Sequence, residues 1–422
     1  MKNIFFFVFL FYVSLYPQSE FNKYFLDKTL RIDFYQTGDK DTEIVSLNRL
    51  IEEPYWGGSE VNLIDTFYYG NYFLKVYNLS DNKLIYSRGF STLFQEWQTT
   101  DEADTVVKTF ACSVTFPYPK SKVRIEIDKR DRQGIFINKF SYVIDPNNYF
   151  IVKERPKNYD AFKVHYSGDH HKKLDIVFLP EGYTVDEMEK FRSDCKRFAE
   201  YLFEFSPFDE LKERINIWGI EAPSGEAGAD IPAENIWKNT LLNSGFYTFD
   251  SERYLMTEDY YTVRDVASNA PYDQIFIIVN TAKYGGGAIY NFYNVTASDN
   301  RLSKLIFVHE FGHGLAGLAD EYADTSTYNE FYNLETEPWE PNITTLVDFD
   351  SKWKSLIDEN TPVPTPEDST YADKIGVFEG GGYVLKGVYR PTINSLMRSF
   401  SSHEFNEVCR EAIIKIINFY SE

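Results

Sequence analysis

Residues 302–322 read LSKLIFVHEFGHGLAGLADEY, and this stretch decides how the rest of the chain is interpreted. Residues 305–308 are apolar on every side, which predicts a helix buried inside a domain. On that helix His309 and His313 are offset by about 40° around the axis and lie about 6 Å apart along it. Two imidazoles placed in this way can reach one metal ion, and Glu310 lies beside them. The pattern predicts a buried helix that carries a metal centre.

Glu310 has the position of a general base. A divalent ion brings the pKa of a coordinated water towards neutrality, and a neighbouring carboxylate can accept the released proton. We therefore predict a hydrolase with one catalytic Zn²⁺, in which His309 and His313 are metal ligands and Glu310 is the catalytic residue. The alternative is structural, with both histidines hydrogen-bonded to carbonyl groups in a core.

A hydrolytic zinc site needs a third protein ligand and one open position. In a straight helix Asp320 would lie roughly 10 Å along the axis from His313, so the chain must turn back to bring it close. Gly317 can adopt the left-handed conformation that ends a helix, and a carboxylate three residues later can then return to the metal. Asp320 is the preferred third ligand, and Glu321 is the rival.

The segment resembles the metzincin arrangement, in which a glycine turn follows the two histidines and the third ligand comes three residues after that glycine. The usual spacing would place the glycine at 316 and the ligand at 319, and both positions are alanine here. The resemblance implies a methionine turn, which residues 394–398 (NSLMR) supply, with Met397 beneath the metal. Tyr389 or Tyr322 would support the transition state by donating to the oxyanion.

More narrowly, the chain resembles the secreted bacterial metallopeptidases that include the IgA-specific metallo-endopeptidases. The matching pieces are residues 177–184 (VFLPEGYT), residues 309–322 and residues 387–391 (GVYRP). The resemblance implies a zinc endopeptidase that cleaves extracellular proteins, with host immunoglobulin or mucosal proteins as candidate substrates. Residues 284–290 (YGGGAIY) fall where such an enzyme has an edge strand that can bind an extended peptide.

The predicted fold is multi-domain, with an N-terminal all-β sandwich and a C-terminal α/β metzincin-like zinc peptidase domain. Short alternating runs separated by polar turns at 80–82 and 131–134 predict an antiparallel sandwich without crossover helices over residues 19–148. From residue 149 to 422 the pattern changes to strand, helix and strand, which predicts a largely parallel sheet. Its strands are predicted at 174–179, 215–220 and 274–279. Thr184 and Glu187 form a capping box before a long helix.

Composition and the N-terminus define the cellular setting. The 422 residues carry a net charge of −21, which disfavours binding to nucleic acid. Residues 1–18, with Lys2 before an apolar run, are interpreted as a signal peptide, and no later run is long enough for a transmembrane segment. We expect a secreted, cell-surface or periplasmic protein. The oligomeric state is left open.

Three cysteines are too few for a disulfide framework, and Cys195 lies on the apolar stripe of the long helix. His403 and the pair His170–His171 are interpreted as surface or capping residues. An additional Ca²⁺ would suit the acidic composition, but no loop has convincing ligand spacing.

Two other functions fit the same residues. In the first, the aromatic-rich sandwich of a surface protein binds glycan or protein and the peptidase-like domain is not catalytic. An intact Glu310 argues against this reading, because a scaffold needs no base. In the second, the enzyme is a zinc amidase that acts on cell-wall peptides, with the same metal centre.

Overall fold

The computed structural model of the chain describes residues 20–154, 157–323 and 332–421. The proposed signal peptide, residues 1–18, lies outside them. The described chain has two parts, an N-terminal part rich in strands and a C-terminal part built on a mixed sheet with helices.

Two antiparallel sheets make up the N-terminal part. The strand order is β2-β1-β5 in one sheet and β4-β3-β6-β7 in the other. The predicted turns at 80–82 and 131–134 join β3 to β4 and β6 to β7, as alternating runs with polar turns require. A short helix between β4 and β5 was not predicted. The elements are α1 (Glu20–Tyr24), β1 (Phe25–Gly38), β2 (Glu43–Glu53), β3 (Tyr72–Asn78), β4 (Leu84–Phe90), α2 (Leu93–Trp97), β5 (Lys108–Pro119), β6 (Val123–Arg130) and β7 (Phe136–Ile144).

The C-terminal part is built on a six-stranded sheet. Its strands run β12-β13-β11-β9-β10-β8, and the four inner strands are parallel while both edge strands are antiparallel to their neighbours. The elements are β8 (Ala161–His165), β9 (Leu174–Glu181), α3 (Met188–Leu202), β10 (Ile215–Ile220), α4 (Tyr260–Ala267), β11 (Gln274–Val279), β12 (Gly286–Ile289), β13 (Tyr293–Ala297), α5 (Ser303–Ala316), β14 (Phe378–Gly381), β15 (Val384–Arg390) and α6 (Glu407–Ser421).

The strands predicted at 174–179, 215–220 and 274–279 are β9, β10 and β11, and they form the centre of this sheet. The predicted capping box is also present, because the Glu187 carboxylate accepts a hydrogen bond of 3.0 Å from the Thr184 amide. The chain then passes through one 3₁₀ turn into α3. The segment at 284–290 contains β12, which is an edge strand as expected.

Both faces of the sheet are covered. Ile176 and Phe178 of β9 pack into a core that also contains side chains of α3, α5 and α6. Val177 and Leu179, which alternate with them, point to the opposite face and pack into a core shared with the N-terminal strands and α4. The N-terminal part therefore covers one face of the six-stranded sheet.

Two further features concern the cysteines and the helices. Cys112, Cys195 and Cys409 are all buried and unpaired, as the stripe on α3 predicts for Cys195. Within the described ranges no helix is both long and apolar enough to cross a membrane.

Candidate metal and active site

Helix α5 packs against β12, β13, α3 and α6, with residues 305–308 all buried. Helix α5 approaches β13 so closely that no side chain fits at Gly314, where a Cβ would lie 1.9 Å from Oδ1 of Asn294. Asn294 is itself fixed, because its amide group donates to the Ile275 carbonyl oxygen at 2.9 Å. The apolar run and this glycine together place the histidines of α5 inside the fold.

The helix ends as the sequence predicts. Gly317 has φ 61° and ψ 31°, in the left-handed region, and its amide donates to the His313 carbonyl oxygen at 3.0 Å. A Cβ at this position would lie 2.6 Å from the ring of Trp339. The chain reverses there and brings Asp320 back to the helix.

His309, His313 and Asp320 converge. The two Nε2 atoms are 3.1 Å apart, and Oδ1 of Asp320 lies 3.2 Å from Nε2 of His309 and 3.5 Å from Nε2 of His313. Ligand atoms bound tetrahedrally at about 2.0–2.1 Å from one zinc ion are separated by about 3.3 Å. The spacing of the three donors therefore fits a single metal ion.

Hydrogen bonds at the far side of each ring support the same conclusion. Nδ1 of His309 lies 3.1 Å from the Leu396 carbonyl oxygen, and Nδ1 of His313 lies 2.6 Å from that of Leu318. Each Nδ1 donates to its carbonyl, so in the neutral rings both Nε2 atoms carry a lone pair. Oδ1 of Asp320 is buried and accepts no hydrogen bond from the described residues. Three electron-pair donors that face one another repel unless a cation lies between them.

The electrostatics of the cluster favour positive charge. Burial opposes protonation of His313, but the Asp320 carboxylate outweighs it and raises the pKa of His313 to about 9. Burial would raise the pKa of Asp320, yet the two imidazoles hold it well below its usual value. A site that attracts a proton so strongly also attracts a divalent cation.

Glu321, the rival ligand, points elsewhere. Its buried carboxylate accepts hydrogen bonds from Ser395 at 2.5 Å, from Asn342 at 3.0 Å and from Asn406 at 2.9 Å. These contacts join the turn after α5 to the start of α6. Glu321 therefore stabilises the region around the site and does not face the imidazoles.

Glu310 lies in a cleft beside the three donors. The cleft holds about 530 Å³ of free volume. Burial raises the pKa of Glu310, an effect that suits a carboxylate meant to accept a proton. At Gly286 of the edge strand a Cβ would lie 3.3 Å from Cγ of Glu310, so the backbone of β12 runs directly over this side chain.

The supporting residues that the sequence predicts lie in different parts of the structure. Met397 is fully buried, and its sulfur would lie 3.1 Å from a Cβ at Gly312, so the turn packs beneath α5. Tyr322 lines the cleft, and its hydroxyl accepts a hydrogen bond of 3.0 Å from Arg253. Tyr389 is in β15, where it pairs with Thr344 and packs against a separate apolar cluster outside the cleft. Tyr383, which was not predicted, donates instead to Oδ2 of Asp320.

The N-terminal part also contributes to the cleft, which sequence reasoning missed. Glu96 of α2 accepts a hydrogen bond of 2.5 Å from the hydroxyl of Tyr254, and both residues line the cleft. No sequence motif in α2 indicates a functional role. The helix lies near the proposed metal ligands because of how the two parts of the chain pack together. The lining residues from the N-terminal part are Asn71, Ser91, Thr92, Gln95, Glu96, Thr99 and Thr100.

Comparison with known protein families agrees with this architecture. The family described as IgA Peptidase M64 matches residues 162–371 and 367–417, and the family described as Peptidase M64 N-terminus matches residues 20–141. The chain belongs to the M64 peptidase family. None of the curated proteins compared with this M64 peptidase matches it. The M64 peptidase is therefore a hydrolase of peptide bonds, whose substrates are proteins or peptides.

Proposed function

We propose that this M64 peptidase is a zinc-dependent, metzincin-like endopeptidase that is exported and cleaves extracellular proteins. The observation that carries the proposal is the convergence of His309, His313 and Asp320 beside Glu310 in an open cleft. The proposed organisation is a signal peptide over residues 1–18, a β-sandwich over 19–148 and a catalytic domain over 149–422.

The proposed metal ligands are His309, His313 and Asp320, a donor set of two imidazoles and one carboxylate that suits zinc. When bound there, zinc would lower the pKa of a coordinated water and polarise the carbonyl group of the substrate. The glycine that ends the helix is at 317, one residue later than in the metzincin arrangement. Its left-handed turn still returns Asp320 to the imidazoles, which supports a metzincin-like site.

The chain's own groups account for the proton transfers of peptide hydrolysis. Glu310 accepts a proton from the attacking water as the oxygen–carbon bond forms. It then gives the proton to the leaving amine as the carbon–nitrogen bond breaks. Tyr322, which accepts from Arg253, can donate its own hydroxyl proton to the developing oxyanion.

The edge strand supports binding of an extended peptide. The backbone of Gly286 already pairs outwards with Arg253 and Leu255, at 3.1 and 3.2 Å. Ala288, two residues further on, presents its backbone in the same direction and lines the cleft. The carbonyl oxygen of Tyr290 already accepts a hydrogen bond of 2.9 Å from the Ser91 amide. We therefore assign pairing with the substrate backbone to Ala288.

Export and the choice of substrate rest on the sequence and the family. The apolar run that follows Lys2 supports secretion to the surface or periplasm, and the family description supports host immunoglobulin or mucosal proteins as substrates. An amidase acting on cell-wall peptides would use the same metal centre, so substrate digestion must separate the two.

The experiment combines zinc analysis of the purified protein with digestion of a mixed peptide library, with and without a chelator. We expect cleavage that the chelator abolishes and that added Zn²⁺ restores. Glu310→Gln should retain zinc and lose at least about 100-fold in kcat, because general-base catalysis contributes 10²–10⁴-fold. Glu200→Gln, an exposed carboxylate on α3, is the matched control and should cleave normally.

Three outcomes would contradict the proposal. Cleavage by Glu310→Gln at the wild-type rate would remove the mechanism. Binding of proteins or glycans without any turnover would favour the surface-binding alternative. Activity confined to cell-wall peptides would favour the amidase.

A further inference from the structure

A second group of metal-binding side chains lies outside the cleft. His170 and His171 are in a 3₁₀ turn (His170–Lys172) that precedes β9, and Asp27 is in β1 of the N-terminal part. One ligand atom from each of the three residues lies within 4.8 Å of the other two. Oδ2 of Asp27 is 3.4 Å from Nε2 of His171, and Oε1 of Glu60 is 3.9 Å from the same nitrogen. None of these residues lines the catalytic cleft.

The local backbone holds the two imidazoles together. The Asp169 carboxylate accepts a hydrogen bond of 3.2 Å from the His171 amide and caps the turn. Successive residues of a 3₁₀ helix point about 120° apart, so neighbouring side chains normally diverge. Here the ring centroids of His170 and His171 are only 4.0 Å apart. The two rings therefore turn towards one another above the capped turn.

Ring nitrogens of both His170 and His171 lack hydrogen-bond partners among the described residues. Nε2 of His170 and Nδ1 of His171 are buried, and neither has a hydrogen-bond partner among the described residues. The side chains are only 26% and 15% exposed, so solvent reaches them little. A buried ring nitrogen without a partner is costly, and Nε2 of His170 calls for an explanation such as a bound ion. His171 turns its other ring nitrogen, Nε2, towards Asp27.

The Asp27 carboxylate completes the group of possible ligands. Asp27 faces the rings, and its side chain is 57% exposed, which leaves a path for an ion to enter.

We propose that Asp27, His170 and His171 bind a second divalent transition-metal ion, of which Zn²⁺ is the probe of choice. Two imidazoles and one carboxylate suit zinc and its neighbours, whereas calcium and magnesium select oxygen ligands. Glu60 is near enough to be a fourth ligand after a small side-chain movement. Because Asp27 belongs to β1 and the histidines precede β9, the ion would link the N-terminal part to the catalytic sheet.

The test is the number of zinc ions bound per chain, measured by elemental analysis after dialysis against Zn²⁺ and removal of the free ion. We expect two ions for the wild type, one for His170→Ala/His171→Ala and one for His313→Ala. The first variant should keep its peptidase activity, and the second should lose it. His403→Ala, which removes an exposed histidine far from both groups in sequence, is the control and should bind two.

Asp27→Asn gives a second test that does not touch buried groups. The change should weaken binding of the second ion at least tenfold in a chelator competition and leave the first ion unchanged. It should also lower the rise in Tm that added Zn²⁺ produces in the wild type.

The proposal would be overturned by a wild type that binds one ion, lost in His313→Ala, or by a double variant that binds as many ions as the wild type. Failure of the catalytic proposal gives a different result. In that case zinc binding at residues 170 and 171 persists while no variant has activity to lose.

Discussion

At the scale of single residues, each proposed ligand of the metal ion in the cleft is held by a second contact. Main-chain carbonyls accept from Nδ1 of His309 and His313, and the Tyr383 hydroxyl donates to the outer oxygen of Asp320. Such contacts fix the orientation of a ligand before the ion arrives and tune its basicity. The tyrosine contact also directs Oδ1 of Asp320 towards the two imidazoles.

Tyr383→Phe should therefore weaken zinc binding about 10- to 100-fold, as loss of a contact behind a ligand typically does. Competition with a chromogenic chelator measures the change. Tyr389→Phe is the matched control, because this tyrosine lies in β15 outside the cleft. Equal affinity in the two variants would contradict a positioning role for Tyr383.

Glu96 gives a prediction about specificity. It places a carboxylate from the N-terminal part in the cleft, where a cationic group of the substrate can pair with it. Glu96→Gln should lower kcat/KM about tenfold for peptides that carry a basic residue near the scissile bond and leave neutral peptides unaffected. Asp101→Asn, an exposed change outside the cleft, is the control. A uniform loss over both peptide sets would argue against charge recognition.

At the scale of elements, the reversal at Gly317 decides whether a third ligand exists. Gly317→Ala forces a left-handed alanine, at about 1–2 kcal/mol, and places a methyl group against Trp339. We expect the turn to shift, zinc affinity to fall and activity to fall with it.

Gly134→Ala is the matched control, since Gly134 has φ 81° in a distant hairpin and its Cβ would lie 3.2 Å from Thr336. Zinc titration and urea unfolding of both variants separate the two effects. Loss of stability without loss of zinc affinity at position 317 would contradict the role of the turn.

The elements that the sequence predicted correctly are those with a strong local pattern. The apolar run of β9, the capping box before α3 and the spacing of the two histidines each fix one element without reference to the others. Asp320 was predicted because only a reversal of the chain could bring a carboxylate back to the helix end.

The contacts that the sequence did not predict depend on distant packing. Nothing in α2 indicates that it faces the metal centre, and Tyr383 is one of 32 tyrosines. His170 and His171 were interpreted as surface or capping residues. Their proximity to Asp27 depends on the packing of β1 beside the turn before β9, which the sequence does not show. The sequence predicts β9 as a strand of a largely parallel sheet, but it does not show which layer covers each face of that sheet.

At the scale of the whole molecule, a buried ion cluster crosses the contact between the two parts. Arg31 of β1 pairs with Asp33 at 2.9 Å, with Glu53 at 3.1 Å and with Asp265 of α4 at 2.5 Å. The Arg31 side chain is 1% exposed, and burial raises the pKa of Glu53. The guanidinium is thus a positive charge among three carboxylates in the core that joins the N-terminal part to the catalytic sheet.

Arg31→Met should destabilise the whole protein by about 3–5 kcal/mol, because it removes the guanidinium that pairs with the buried carboxylates of Asp33 and Glu53. Since both parts share this core, calorimetry should show one unfolding transition at a lower temperature. Lys28→Met removes the exposed partner of Glu52 on the same strand, and an exposed pair contributes only about 0–1 kcal/mol. Two transitions in Arg31→Met, with the catalytic part unfolding at the wild-type temperature, would show that the sheet is stable without its N-terminal cover. A single shifted transition, with zinc binding and cleavage lost in the same step, is the result that a shared core requires.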